Sequence, residues 1–149
     1  MQLEGQRDLE ASVDDVRRAL HDPDLLRRVV PRCQDLVPIG PDHFVVVLGL
    51  ATSRLTETWR GMLTVQDTDQ GLRLTLDVHG RGGRLTLDLR ATLTALDGGR
   101  TGLRYTAQAT LDGLAARAVT PSLDVLGRHV GGRILSELEG ALRRASALV

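Results

Sequence analysis

The sequence predicts an α+β fold: a curved antiparallel sheet of seven strands, two short helices after the first strand, and a long C-terminal helix over the sheet, with a hydrophobic cavity between. Three observations predict it. Apolar and polar residues alternate over most of the stretch from Asp35 to Leu111, the period of strands with one face buried and one face wet. Leu123, Leu126, Val130, Ile134, Leu138 and Leu142 then recur every three or four residues, the stripe of a helix. Finally, 149 residues with 42% apolar content fit one core, so residues 1–149 are read as a single domain.

The elements follow in order. Leu3, Gly5, Arg7 and Leu9 face one way and Gln2, Glu4, Gln6 and Asp8 the other, a strand with Arg7 as the odd residue on its apolar side. Ser12 reads as a helix N-cap, with Asp14 and Asp15 in the first turn and Val13, Val16 and Leu20 as the apolar stripe. Asp22-Pro23 starts a second short helix, because proline suits the first turn, and Pro31 ends it. Leu36 to Ile39 is a short strand, Pro41-Asp42 a turn, and His43 to Leu50 the next strand. Leu55 to Val65 is longer, with Leu55, Trp59, Gly61, Leu63 and Val65 on one face; Asp67 to Gly71 turns the chain. Leu72, Leu74, Leu76 and Val78 alternate with Arg73, Thr75, Asp77 and His79. Leu85, Leu87, Leu89, Ala91, Leu93 and Ala95 repeat the pattern. Gly80 to Gly83 joins two strands rather than a strand and a helix, so it is a hairpin turn and not a phosphate loop. Asp97-Gly98-Gly99 is another hairpin signal, and Leu103, Tyr105, Ala107, Ala109 and Leu111 form the last inner row. Pro121 belongs to the first turn of the main helix or kinks a longer one.

Composition excludes several functions. Acidic and basic residues balance at 19 each, so no basic bias points to nucleic acid. Every basic residue is arginine, which reads as codon bias. Cys33 stands alone, which rules out an intramolecular disulfide or a cysteine metal cage. His21, His43, His79 and His129 lack zinc-site spacing, and no GxSxG elbow occurs. Neither a catalytic set nor a metal site is predicted. The longest apolar run, Phe44 to Leu50, is too short to cross a bilayer, and the N-terminus has no apolar signal core, so a cytoplasmic protein is expected.

A strongly curved sheet cannot touch a straight helix along its whole length. With only Phe44, Trp59 and Tyr105 as aromatics, few large side chains exist to fill the gap. The inner rows also carry Gly5, Gly61, Ala91, Ala107 and Ala109, and the helix carries Gly127, Gly131 and Gly132. Each mid-helix glycine costs about 0.5–1 kcal/mol against alanine, so a reason is needed: close approach of the sheet, a bend, or room for a ligand. The residues expected to line the space are Trp59, Leu63, Leu74, Leu76, Leu87, Leu89, Tyr105, Leu126 and Val130, each of which serves equally well as plain core. An aliphatic cavity of this kind suits an isoprenoid tail, an acyl chain or a quinone ring. Arg7 and Glu57 are the polar ligand-binding candidates. If the strand phases hold, both point inward and pair with each other, meet a ligand's polar head or escape at the mouth; a bulge would turn either outward.

Five stretches narrow the reading: LEG at Leu3 to Gly5, HDPDLLRRVVPRCQDL from His21 to Leu36, TWRGMLTVQD from Thr58 to Asp67, DVHGRGG from Asp77 to Gly83, and LRYTAQATLDG from Leu103 to Gly113. In this order and spacing the chain resembles the carbon monoxide dehydrogenase G-subunit family, within the SRPBCC or START-like helix-grip superfamily, over nearly its whole length. The resemblance implies a non-catalytic accessory of a molybdenum hydroxylase such as CO dehydrogenase. Its role would be maturation, membrane recruitment or electron transfer to a bound quinone, with no covalent cofactor and a quinone or lipid as guest. It also implies an aromatic at position 7 and a small residue at position 57, which Arg7 and Glu57 are not. Some relatives carry a membrane-anchoring tail. This chain is expected to end without one, to touch membranes at most peripherally, and to be a monomer or homodimer. Two alternatives stay open. One is a polyketide cyclase-like enzyme acting on an aromatic or lipid-like substrate, with Arg7, Glu57, Tyr105 or His129 converging. The other is a pure interaction module that uses the Arg- and Thr-rich outer sheet face.

Overall fold

The computed structural model describes residues 2–51, 56–113 and 123–147, and within these the side chains of all but residues 50, 51, 123–130, 146 and 147. The elements run β1 (Gln2–Leu9), α1 (Val13–Leu20), α2 (Pro23–Val29), β2 (Cys33–Pro38), β3 (His43–Ala51), β4 (Thr56–Asp67), β5 (Gly71–Gly80), β6 (Gly83–Ala95), β7 (Thr101–Asp112) and α3 (Leu123–Ala147). All seven strands form one antiparallel sheet in the order β1-β7-β6-β5-β4-β3-β2. The consecutive strands β1 and β2 therefore lie at opposite edges. The α1–α2 pair carries the chain from one edge to the other, and α3 packs chiefly against α1, α2 and β1.

Local chemistry accounts for the helix ends. The Ser12 hydroxyl accepts from the Asp15 amide at 3.2 Å, and Asp14 and Asp15 complement the positive end of α1. The Asp22 carboxylate accepts from the Asp24 amide at 3.0 Å, with Pro23 opening α2. Val16, Leu20, Leu25 and Leu26 turn into the core, where they join the inner residues Phe44, Val46, Trp59, Leu63 and Val65. Thr101 is the one buried polar residue among those described. Its hydroxyl donates to the Ala11 carbonyl at 2.7 Å and ties the β1–α1 junction to β7.

Three details depart from the sequence reading. β2 begins at Cys33 rather than Leu36, because a register irregularity between Cys33 and Asp35 breaks the alternation that would reveal it. Among the described residues of α3 the buried positions are Gly131, Leu135, Leu138 and Leu142, while Ile134 is only half-buried. The convex face is also not polar throughout. Val37, Val45 and Met62 stand in register across β2, β3 and β4, and all three are exposed. The Asp97–Gly99 segment does turn the chain as expected: Gly98 (φ 76°) and Gly99 (φ 72°) take the left-handed conformation that glycine tolerates, and the Leu96 amide donates to the Arg100 carbonyl at 2.8 Å. Pro121 lies outside the described residues.

The β2 edge is protected from further pairing. The Arg27 guanidinium donates to the Leu36 carbonyl through Nε (3.2 Å) and Nη2 (2.9 Å), and Asp35 accepts from the Leu36 amide at 2.9 Å. Pro38 has no amide to offer. On the convex face Arg73 forms a bidentate pair with Asp88 (3.1 and 2.8 Å), and Arg84 forms another with Asp77. These hydrogen bonds hold both aspartate carboxyls below their usual pKa.

Candidate functional site

The concave face is a set of ranks, because antiparallel pairing places inner residues side by side. One rank runs Leu63, Leu76, Leu87, Ala109 across β4, β5, β6 and β7. The next runs Val65, Leu74, Leu89, Ala107 and on to Leu3 of β1. A third runs Leu72, Ala91, Tyr105 and Gly5. The first two ranks carry large residues on β4, β5 and β6 and alanine on β7, so the wall recedes there; in the third the small residue is Ala91 on β6, and Tyr105 fills the β7 position. Burial also varies. Leu63, Val65, Leu72 and Leu76 are buried, yet Leu74, Leu85, Leu87 and Leu89 on the same concave side are only half-buried. A core leucine is ordinarily enclosed by 6–12 neighbours. Leu93 of β6, Leu111 of β7 and Leu3 of β1 are half-buried as well, so the inner leucines that keep solvent-accessible surface lie mainly along β6 and on toward β7 and β1, with Leu74 beside them on β5.

The two inward charged residues do not meet. Arg7, on β1, donates to Glu139 of α3 at 3.0 Å and to the Ser136 hydroxyl at 3.4 Å, with about a third of each partner of the ion pair exposed. Glu57, on β4, accepts from the Gly82 amide in the β5–β6 hairpin. Three strands, β7, β6 and β5, separate β1 from β4. Both residues keep the inward phase that the alternation predicts, and each is half-buried with a partner of its own.

Trp59 and Tyr105 explain two glycines. Trp59 is 1% exposed, sits opposite Leu48 and lays its indole against Gly80, where an added Cβ would collide with Cδ1 and lie 2.8 Å from Nε1. Its Nε1 is the one buried side-chain polar atom without a hydrogen-bond partner among the described residues. Trp59 thus forms part of the wall itself. The Tyr105 ring covers Gly5, and its hydroxyl abuts Gly131 of α3, so that one helix glycine marks close approach of the sheet. A side chain at Gly132 would meet nothing within 4 Å. Burial pushes the Tyr105 phenol above its usual pKa, an effect that the neighbouring Arg7 opposes.

Of the residues singled out in the sequence, the structure places Trp59, Leu63, Leu74, Leu76, Leu87, Leu89 and Tyr105 on the concave side. The side chains of Leu126, Val130 and His129 lie outside the described residues. Leu85, Leu111, Ser136 and Glu139 also belong to this face or its rim. Glu139 was missed; its place four residues after Leu135 and three before Leu142 marks it as a carboxylate beside the buried stripe, but not as the partner of Arg7. Among the described residues no group of three or more potential ligands could hold a metal, and none of the helices is long and apolar enough to cross a membrane. The concave face can give an apolar guest a surface in which to lose water; among the described residues its charged groups, Arg7, Glu57 and Glu139, are half-buried and already paired.

The family model for the G subunit of carbon monoxide dehydrogenase (CoxG) matches residues 5–141 of this chain. No curated protein matches the sequence. Among solved structures, a conserved protein from Geobacillus kaustophilus superposes with a TM-score of 0.82 at 20% identity, covering 97% of each chain. A START superfamily protein from Mycobacterium smegmatis gives 0.67 at 10% identity, over 97% of this chain and 98% of that one. The Zhui aromatase/cyclase from Streptomyces sp. R1128 gives 0.68 at 17% identity, over 97% and 94%. At these identities the structural likenesses establish the fold, a START/cyclase-like helix grip, and nothing finer.

Proposed function

The chain belongs to the CoxG family, that of the carbon monoxide dehydrogenase G subunit, and from that premise we propose that it is a non-catalytic carrier of a hydrophobic small molecule, a quinone or lipid, in the service of a molybdenum hydroxylase. One observation carries the reading: Leu74, Leu85, Leu87 and Leu89 keep accessible surface on the concave face, where Leu63, Val65, Leu72 and Leu76 are buried. Burial of apolar surface is worth about 25 cal/mol per Å². A guest losing a few hundred Å² against these leucines gains several kcal/mol before ordering costs are subtracted. An aliphatic wall with a few charged groups beside it favours a long apolar body with a small polar head. Family membership supports accessory action, through maturation, membrane recruitment or electron transfer to a quinone.

Trp59, the single tryptophan, supplies the assay. It stands in the wall, so a bound quinone should quench its fluorescence saturably. Native mass spectrometry of the purified protein should show a co-purifying apolar mass that organic extraction removes. A protein that carries no guest and whose fluorescence ignores menaquinone would end the carrier reading. Turnover of a polyketide by the purified protein would replace it with the cyclase one. Co-purification with a molybdenum hydroxylase tests the partner separately.

A further inference from the structure

Away from the concave face, α2, the turn into β2 and α3 border an open cleft of about 320 Å³ whose arginines are exposed to solvent. Four arginines line it, Arg27, Arg28, Arg32 and Arg133, with Glu137 as the only carboxylate among the described lining residues. That leaves three net positive charges on one cleft of a protein whose formal net charge is zero. Arg27 is committed to Asp24 at 2.7 Å and to the Leu36 carbonyl. Arg28 donates only through Nε, to the Asp24 carbonyl at 3.3 Å. Among the described residues, none of Arg28, Arg32 and Arg133 has a carboxylate within ion-pair distance. Arg7, Arg73 and Arg84 by contrast each pair with a carboxylate; Arg60, Arg90 and Arg104 on the outer sheet face and Arg81 in the β5–β6 turn do not, but they lie outside this cleft.

A second observation falls on the same cleft. Arg32 is the only non-glycine among the described residues with positive φ, at 57°. Its carbonyl accepts from the Gly49 amide at 2.9 Å, which fixes the backbone there. Glycine or asparagine would hold this left-handed position with less strain. Strain kept at a position that a smaller residue would relieve points to a use for the side chain.

We propose that this cleft binds a phosphoryl-bearing anion, with the guanidinium groups of Arg28, Arg32 and Arg133 as its donors. Guanidinium forks match the oxygens of a phosphoryl group, and several of them suit a group with more than one charged oxygen. The apolar Val30, Pro31 and Ile134 beside them accommodate carbon attached to the phosphate. The volume exceeds what a bare anion needs and falls in the range of small-molecule sites.

The test uses the full chain, inorganic phosphate followed by calorimetry, and flotation with phosphatidylcholine vesicles with and without phosphatidylglycerol. Arg32→Gly, Arg133→Gln and their combination are compared with Arg90→Gln, an exposed arginine on the convex face. Thermal unfolding confirms that each variant folds, and Arg32→Gly should be at least as stable as the wild type. Saturable phosphate binding, weakened about tenfold or more by the double substitution and untouched by Arg90→Gln, supports the site with a free phosphorylated ligand; a tenfold change is what one lost charge-assisted hydrogen bond gives. Flotation only with phosphatidylglycerol, abolished by the same pair and not by Arg90→Gln, supports it with a lipid headgroup as the source. Absence of both kinds of binding in the wild type overturns the proposal. So does binding that the double variant retains, or that Arg90→Gln weakens equally.

Discussion

Replacing Gly131 by alanine should destabilise this protein, although the same change in an open helix would stabilise it. In a helix interior alanine is preferred to glycine by about 0.8–1.0 kcal/mol. Here the new methyl would run into the Tyr105 hydroxyl, while the next nearest atom, Tyr105 Cζ, lies at 3.7 Å, an ordinary contact. The collision is therefore with one oxygen. Overpacking of this kind costs about 1–3 kcal/mol, so Gly131→Ala should lose about 1 kcal/mol net. Tyr105→Phe removes the oxygen and leaves the ring over Gly5. In that background Gly131→Ala should stabilise by most of its intrinsic preference. The coupling between the two substitutions should reach about 2 kcal/mol, well above the few tenths expected of independent sites. Urea unfolding of the four proteins, with m-values checked for constancy, measures it. Additive effects, or a Gly131→Ala variant more stable than the wild type, would refute the claim that α3 carries this glycine so that the sheet can approach.

Other expectations follow from single contacts. Thr101→Val keeps the buried shape but removes the donor to the Ala11 carbonyl at 2.7 Å; urea unfolding should show a loss of about 1–2 kcal/mol. Asp77 and Asp88 are hydrogen-bonded by Arg84 and Arg73, and their folded pKa values are lowered from the ordinary 3.8. A lowered carboxylate contributes stability that is present above the unfolded value and is lost as pH falls from about 3.8 through the folded values. Unfolding midpoints should decline over that range, and Arg73→Gln with Arg84→Gln should flatten the decline; an unchanged slope would contradict the assignment. Burial raises the Cys33 thiol above its usual pKa. Alkylation by iodoacetamide at neutral pH should therefore be slower than for glutathione and accelerate on unfolding.

Much of this molecule was readable from one period or the other. The alternation from Leu72 to Val78 and from Leu85 to Ala95 became β5 and β6 with the expected inner rows. Ser12 and Asp22 became the caps of α1 and α2 for the reason that places such residues there, a side-chain oxygen facing an unsatisfied amide. What failed was local in origin. The irregularity between Cys33 and Asp35 hid the start of β2, and the nearly continuous apolar run of β3 hid the exposure of Val45, because periodicity is silent where both faces are apolar. The candidate site was legible as a face but not as a set of contacts. Nothing in the chain order says that Arg7 meets Glu139 or that Glu57 meets Gly82.

The sequence by itself determined which residues share a face, since a side chain's direction within a strand or helix is set by its own backbone period. Only the tertiary structure decided how those faces meet. Ile134 and Leu135 are both apolar and adjacent, so the stripe admits two rotations of α3 about its axis; packing against α1, α2 and β1 chose the one that buries Leu135 and leaves Ile134 beside the arginine cleft. The sheet order was settled the same way. β1 pairs with β7 because contacts a hundred residues apart in the chain are fixed by the shape of the closed core, a quantity that no local pattern encodes.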